Sequence, residues 1–146
     1  MTIRVFDPKS VEVGPIGPMM AAKTENPGLK AFFESKSGED GDGNLSAIVI
    51  GDSQNMGVGV GTWDAGQFTK EPIPIGMDEC LWILQGSLYV TSNDQTHHAK
   101  QGECIHIAAG SLVHFKADED CRLVWVTSPP TWVAFERIWE EKQQGG

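Results

Sequence analysis

Asp78-Glu-Cys-Leu-Trp-Ile-Leu-Gln-Gly86 is the stretch whose reading decides the fold. Leucine, isoleucine and tryptophan dominate it, and a glycine closes it, as expected of a strand that ends in a turn. Alternate side chains of a strand share a face. Glu79, Leu81 and Ile83 therefore stand together, with Cys80, Trp82 and Leu84 on the opposite side.

The same signal recurs along the chain. Short runs rich in valine, isoleucine and aromatics cover residues 47–50, 57–63, 80–90, 96–100, 104–108, 112–115 and 122–127. Runs of this length, separated by turn residues, predict an all-β sandwich or barrel. Asn93-Asp94-Gln95 is suited to a hairpin turn. Gly57-Val-Gly-Val-Gly61 has neither the spacing nor the following helix of a dinucleotide-binding loop, and reads as a strand on which something packs closely.

Outside these runs the pattern changes. Thr2 to Phe6 has the character of a short strand, residues 13–18 carry helix-breaking glycine and proline, and residues 26–35 suit one or two helical turns. Asp40, Asp42 and Asn44 have the spacing that opens a calcium-binding loop, but Leu45 stands where glycine is needed and Gly51 where a bidentate glutamate is needed. That segment reads as a solvated turn. After Pro129-Pro130, Trp132, Phe135, Ile138 and Trp139 fall on one side of a helix that Thr131 can cap. The expected organisation is one structural domain over residues 1–146: an N-terminal arm (1–50), a β-barrel (51–128) and a C-terminal helix (129–146).

The 146 residues suffice for one core, and the formal net charge of −9 comes without any cluster of lysine or arginine. A polyanion would be repelled, so neither nucleic acid nor an anionic membrane is an expected partner. No apolar run is long enough to span a bilayer. Cys80, Cys104 and Cys121 are widely spaced and odd in number, which suits a reducing compartment and small buried fillers rather than disulfides. With no basic-then-apolar leader at the start, the expected location is the cytoplasm.

The segment from Gly61 to Val126 resembles the cupin superfamily, whose fold is a jelly-roll-type β-barrel. Glu79 and Gly86 match the end of that superfamily's first motif, and Gly102 and Gly110 match the frame of the second. The histidine ligands do not carry over. The first-motif pair falls on Ile73 and Ile75, or on Pro72 and Pro74, and the second-motif histidine falls on Val113, beside His114. Within the superfamily the chain is most similar to the ethanolamine-utilisation EutQ-type cupins, over residues 57–135. The likeness rests on Asp78-Glu79 with Gly86, on Ala109-Gly-Ser-Leu-Val-His-Phe115 and on Ser128-Pro-Pro-Thr-Trp132. That group also lacks the His-x-His pair. The resemblance implies an acetate-kinase-like activity, but neither a phosphate-cradling glycine loop nor clustered lysines can be read here.

The resemblance also implies that Glu79 points into the barrel, which would put Leu81 on the interior wall. Glu71 and Thr69 share parity with Ile73 and Ile75, so all four are candidates for the cavity lining. Glu79 and Glu71 would then form a carboxylate pair able to act as acid and base; the alternative leaves Glu71 solvated at the rim. His114 is a third candidate for catalysis if a bulge turns it inward. His106 reads either as a hydrogen-bonded core residue or as a ligand, and Trp63 as a pocket wall. Together, Glu79, His106 and His114 would make an incomplete site for a divalent transition metal.

The function expected is therefore a metal-independent, cofactor-free, small-molecule-binding cupin that does acid–base work on a small polar metabolite. The alternatives are a non-catalytic accessory or sensor cupin, and an atypical metalloenzyme using those three residues. Unpaired strand edges predict a homodimer.

Overall fold

Apolar alternation becomes two antiparallel sheets in the computed structural model, which describes residues 3–35 and 45–145. The loop carrying Asp40, Asp42 and Asn44 lies outside the described residues. In chain order the strands are β1 (Gly14–Pro15), β2 (Leu45–Ile50), β3 (Gly57–Trp63), β4 (Ile73–Pro74), β5 (Asp78–Gln85), β6 (Ser87–Ser92), β7 (Gln95–Lys100), β8 (Cys104–Ile107), β9 (Leu112–Lys116) and β10 (Cys121–Ser128). Among the described residues they form a six-stranded sheet, β1-β2-β3-β10-β5-β8, and a four-stranded sheet, β4-β9-β6-β7. The two sheets make the jelly-roll frame of a cupin.

The turns follow from local chemistry. The run at 80–90 divides at Gly86, whose φ is +75° and where a Cβ would lie 2.0 Å from the Asp120 carbonyl oxygen. Only glycine fits that corner. Between β6 and β7 the chain reverses through Asn93 (φ 52°) and Asp94 (φ 62°), the two-residue hairpin geometry that matches strand twist.

Between the sheets lies an apolar core containing Ile83, Leu88, Val113 and Leu123, all almost fully buried. Each such side chain contributes on the order of 1.5–3 kcal/mol by leaving water. A second cluster holds Met20, Leu29, Phe33 and Trp132. It forms where α1 (Ile16–Ala21), α2 (Pro27–Ser35) and α3 (Thr131–Gly145) come together at one end of the frame. The Thr24 hydroxyl donates to Glu136, tying the α1–α2 linker to α3. No helix among the described residues is long and apolar enough to cross a membrane.

Three local expectations are corrected. Residues 3–6 form no strand; the arm is held instead by side chains, with Arg4 paired to Asp52 and the Arg122 guanidinium donating to the carbonyls of Pro8 and Val11. Residues 16–21 are helical although they contain Gly17 and Pro18, because Pro18 sits in the first turn, where its missing N–H has no partner to lose. Thr131 is the first residue of α3 rather than its cap, and its hydroxyl reaches Thr127 at 3.5 Å.

Candidate functional site

The strand β5 places its side chains by parity. Leu81 and Ile83 are buried on the inner face, whereas Cys80 and Trp82 are exposed on the outer one. Glu79 belongs to the inner set and stands directly across from Thr127 of β10. It lines a cavity of about 760 Å³ that runs from the barrel interior to the three helices. Thr69, Ile73, Ile75, Leu81 and Trp63 line the same cavity. Glu71 lines it too, but as an exposed residue at the mouth, with Lys70 and Lys142.

Glu79 is only half-buried by exposure because the cavity reaches its side chain, yet protein atoms surround it on the remaining sides. Burial, as the one cause, pushes its carboxyl up to about 7. No hydrogen bond or ion pair to the carboxylate exists among the described residues. A carboxyl poised near neutrality, open to a cavity, suits proton transfer in either direction.

The walls are aromatic and aliphatic. The rings of Trp63 and Phe115 lie 5.6 Å apart, centre to centre. Trp125 gives its indole N–H to Ser46 at 3.1 Å. The Thr69 hydroxyl is committed to the backbone, accepting from the Phe115 N–H at 3.0 Å, so this threonine fixes the cavity loop against β9.

The histidine candidates are not in the cavity. On β8, Ile107 is buried and Ile105 packs against the core, so His106 between them faces out, opposite Cys80 and 3.6 Å from the Asp78 carboxylate. On β9, Val113 and Phe115 point inward and His114 is exposed. Its register with Thr91 is regular, with no bulge to turn it. Glu79, His106 and His114 thus do not converge, and no group of three metal-ligating side chains occurs among the described residues.

The positions where cupins hold an ion are nevertheless recognisable. Ile73 pairs with Val113 across β4 and β9, Ile75 and Val113 are buried, and the exposed Pro74 lines the cavity with Pro72, Ile73 and Ile75. The residues aligned with the cupin ligand positions are Ile73 and Ile75, or Pro72 and Pro74, together with Val113 and with Glu79 on β5. Alkyl side chains have no lone pairs to donate, so this donor set does not fit a divalent ion.

Residues 35–134 match the family described as ethanolamine utilisation protein EutQ. The chain is a member of the EutQ family. It is 29% identical over 132 residues to the acetate kinase EutQ of Salmonella typhimurium, spanning 85% of this chain and 56% of that relative. The chain therefore covers little more than half the length of that curated EutQ protein. The crystal structure of a putative ethanolamine utilization protein q from the same organism overlays with a TM-score of 0.55 at 27% identity, covering 62% of this chain and 75% of the other. The Cnp3 cupin domain of Schizosaccharomyces pombe overlays with a TM-score of 0.62 at 18% identity, covering 99% of this chain and 82% of that domain, a likeness of fold alone.

Several cavity residues of this EutQ-family chain were not apparent in the sequence. Thr127, Phe135 and Lys142 line the space from β10 and α3, and Phe32 and Phe33 from α2. For Thr127 the signal was its parity with Leu123 and Trp125. For the helices no local signal exists, because their approach to the barrel is a tertiary fact. Conversely, the buried Ile107 and the inward Val113 and Phe115 show by alternation alone which way the histidines beside them point.

Proposed function

We propose that this EutQ-family cupin binds a small molecule without a metal and uses Glu79 as the acid–base group in its cavity. The observation that supports the reading is one carboxyl, raised to about 7, on the wall of a space that Ile73 and Ile75 also line, with the buried Val113 paired to Ile73. Trp63, Thr69, Leu81 and the two isoleucines shape the ligand site, and Glu71 meets the ligand at the mouth. Outside the barrel, His106 and His114 take no part in this chemistry.

A phosphoryl-transfer role, suggested by the name of the Salmonella relative, finds less support. The lysines lining the cavity, Lys70 and Lys142, are both at its mouth, and phosphoryl transfer needs cationic groups around the phosphate. A non-catalytic sensor shares the same cavity and differs only in turnover. The cytoplasm is the compartment we propose. A homodimer is also part of the proposal, since β8 ends the six-stranded sheet with one edge unpaired among the described residues.

The experiment is a thermal-shift screen of small metabolites on untagged protein, followed by assay of each hit for turnover with wild type and Glu79→Gln. A ligand that stabilises the wild type and is converted only by it supports the enzyme; stabilisation without conversion supports the sensor. One equivalent of tightly held transition metal in the purified protein would overturn both.

A further inference from the structure

The polar groups of the cavity are unevenly matched. The Trp125 N–H is spent on Ser46, the Thr69 hydroxyl on Phe115, and the Thr131 hydroxyl on Thr127. The charged side chains on the lining are Glu79, Glu71, Lys70 and Lys142, and the last three are exposed at the mouth. Inside, Glu79 makes no ion pair and accepts no hydrogen bond among the described residues. Opposite it in register is Thr127, and further along the wall are the rings of Trp63, Phe115 and Trp125.

A carboxylate held out of water gains most from a partner that brings both positive charge and N–H donors. Aromatic faces attract the same kind of partner through their quadrupoles. A cavity of about 760 Å³ is too large for a bare ammonium group and has room for an organic body beside it. An anionic ligand would instead meet a like charge at Glu79.

We propose that the cavity takes an organic ammonium ion with an apolar or aromatic body, its N–H groups on the Glu79 carboxylate and its charge against the rings of Trp63 and Trp125. This assignment rests on the cavity being a ligand site, as argued above, and adds the charge class of the occupant. The whole chain, at −9, would also draw a cation toward it.

The test is calorimetry and ligand-observed NMR on the untagged full chain, near pH 8, with three probes of one shape: phenethylammonium, phenethyl alcohol and phenylacetate. The expected result is that the ammonium binds about ten-fold or more tightly than the alcohol, and the carboxylate most weakly. In Glu79→Gln the advantage of the ammonium over the alcohol should disappear. If the alcohol or the carboxylate binds wild type as well as the ammonium does, the charge class is wrong and the ligand cavity stands. If none of the three binds at millimolar concentration, both readings fall. The ranking in wild type decides the matter even if the variant does not fold.

Discussion

The indole of Trp125 lies across Gly59, so closely that a Cβ at residue 59 would sit 2.1 Å from ring carbon Cζ2 and 2.3 Å from the Ala47 carbonyl oxygen. Those two residues are paired across β3 and β10, and the missing side chain on one makes room for the ring on the other. The same ring forms part of the cavity wall and is held by Ser46.

Gly59→Ala should therefore be among the most damaging single methyl additions in the chain. The overlap involves backbone on one side and a buried ring on the other, so neither yields cheaply. A loss of about 3 kcal/mol or more is expected, at the upper end of overpacking effects. Urea denaturation measures it; a change below about 1 kcal/mol would mean that the ring is not seated there.

Glu79 gives stability a pH dependence whose sign is fixed by its raised carboxyl. The folded value is about 7 against an ordinary 4.5, so between those limits the folded protein holds more protons than the unfolded chain. The stabilisation is fully present below about pH 4.5 and is lost as pH rises through about 7. Glu79→Gln removes this loss: it should be more stable than wild type near pH 8, by up to about 3 kcal/mol, and nearly equal to it near pH 4.5. Denaturant titrations of both proteins at the two pH values check it, and comparing the pair cancels the titration of exposed groups such as Asp7 and Asp52. Equal stability at both would mean that water screens the carboxylate fully.

The cysteines separate by face. The sequence suggested three buried fillers, but Cys80 and Cys104 lie on the outer face of β5 and β8, whereas Cys121 is buried. Burial, aided by Glu119, pushes the Cys121 thiol up to about 11. A thiol reagent should consume about two equivalents in native protein and the third only in denaturant. Three fast equivalents would contradict the placement of Cys121.

What was legible in the sequence was what depends on neighbours a few residues away. Parity along residues 78–86, the Asn93-Asp94 reversal and the glycine-spaced strand at 57–61 are all of that kind. The direction of His106 and His114 was legible in principle, but for His114 the strand's buried partners were outweighed by the cupin motif, which places a ligand beside it, and His106 reads either as a core residue or as a ligand. Two things were not legible: that α2 and α3 close over the cavity, and that the arm lies on Arg122 and Asp52. Both arise from contacts between residues far apart in the chain, such as Arg122 with Pro8, and no local period encodes them. The carboxylate at 79 was named from the motif, but its lack of a partner is a property of the assembled cavity.

The register of the aliphatic wall can be tested by putting back what it lacks. Ile73 and Val113 are paired across β4 and β9, Ile75 is the next buried residue along the chain, and Glu79 lines the cavity with both isoleucines. If those are the positions where other cupins place histidines, the triple substitution Ile73→His, Ile75→His and Val113→His should create a three-histidine, one-carboxylate site beside Glu79. Without metal the variant should lose several kcal/mol, because three imidazoles replace buried alkyl groups. Added Zn²⁺ or Co²⁺ should recover much of that loss by binding only the folded state, and Co²⁺ should show the visible absorption of a ligated ion. The single control Val113→His, with one imidazole and one carboxylate, should bind far more weakly. If the triple variant folds but takes up no metal, the alignment of the wall with the ligand positions is wrong.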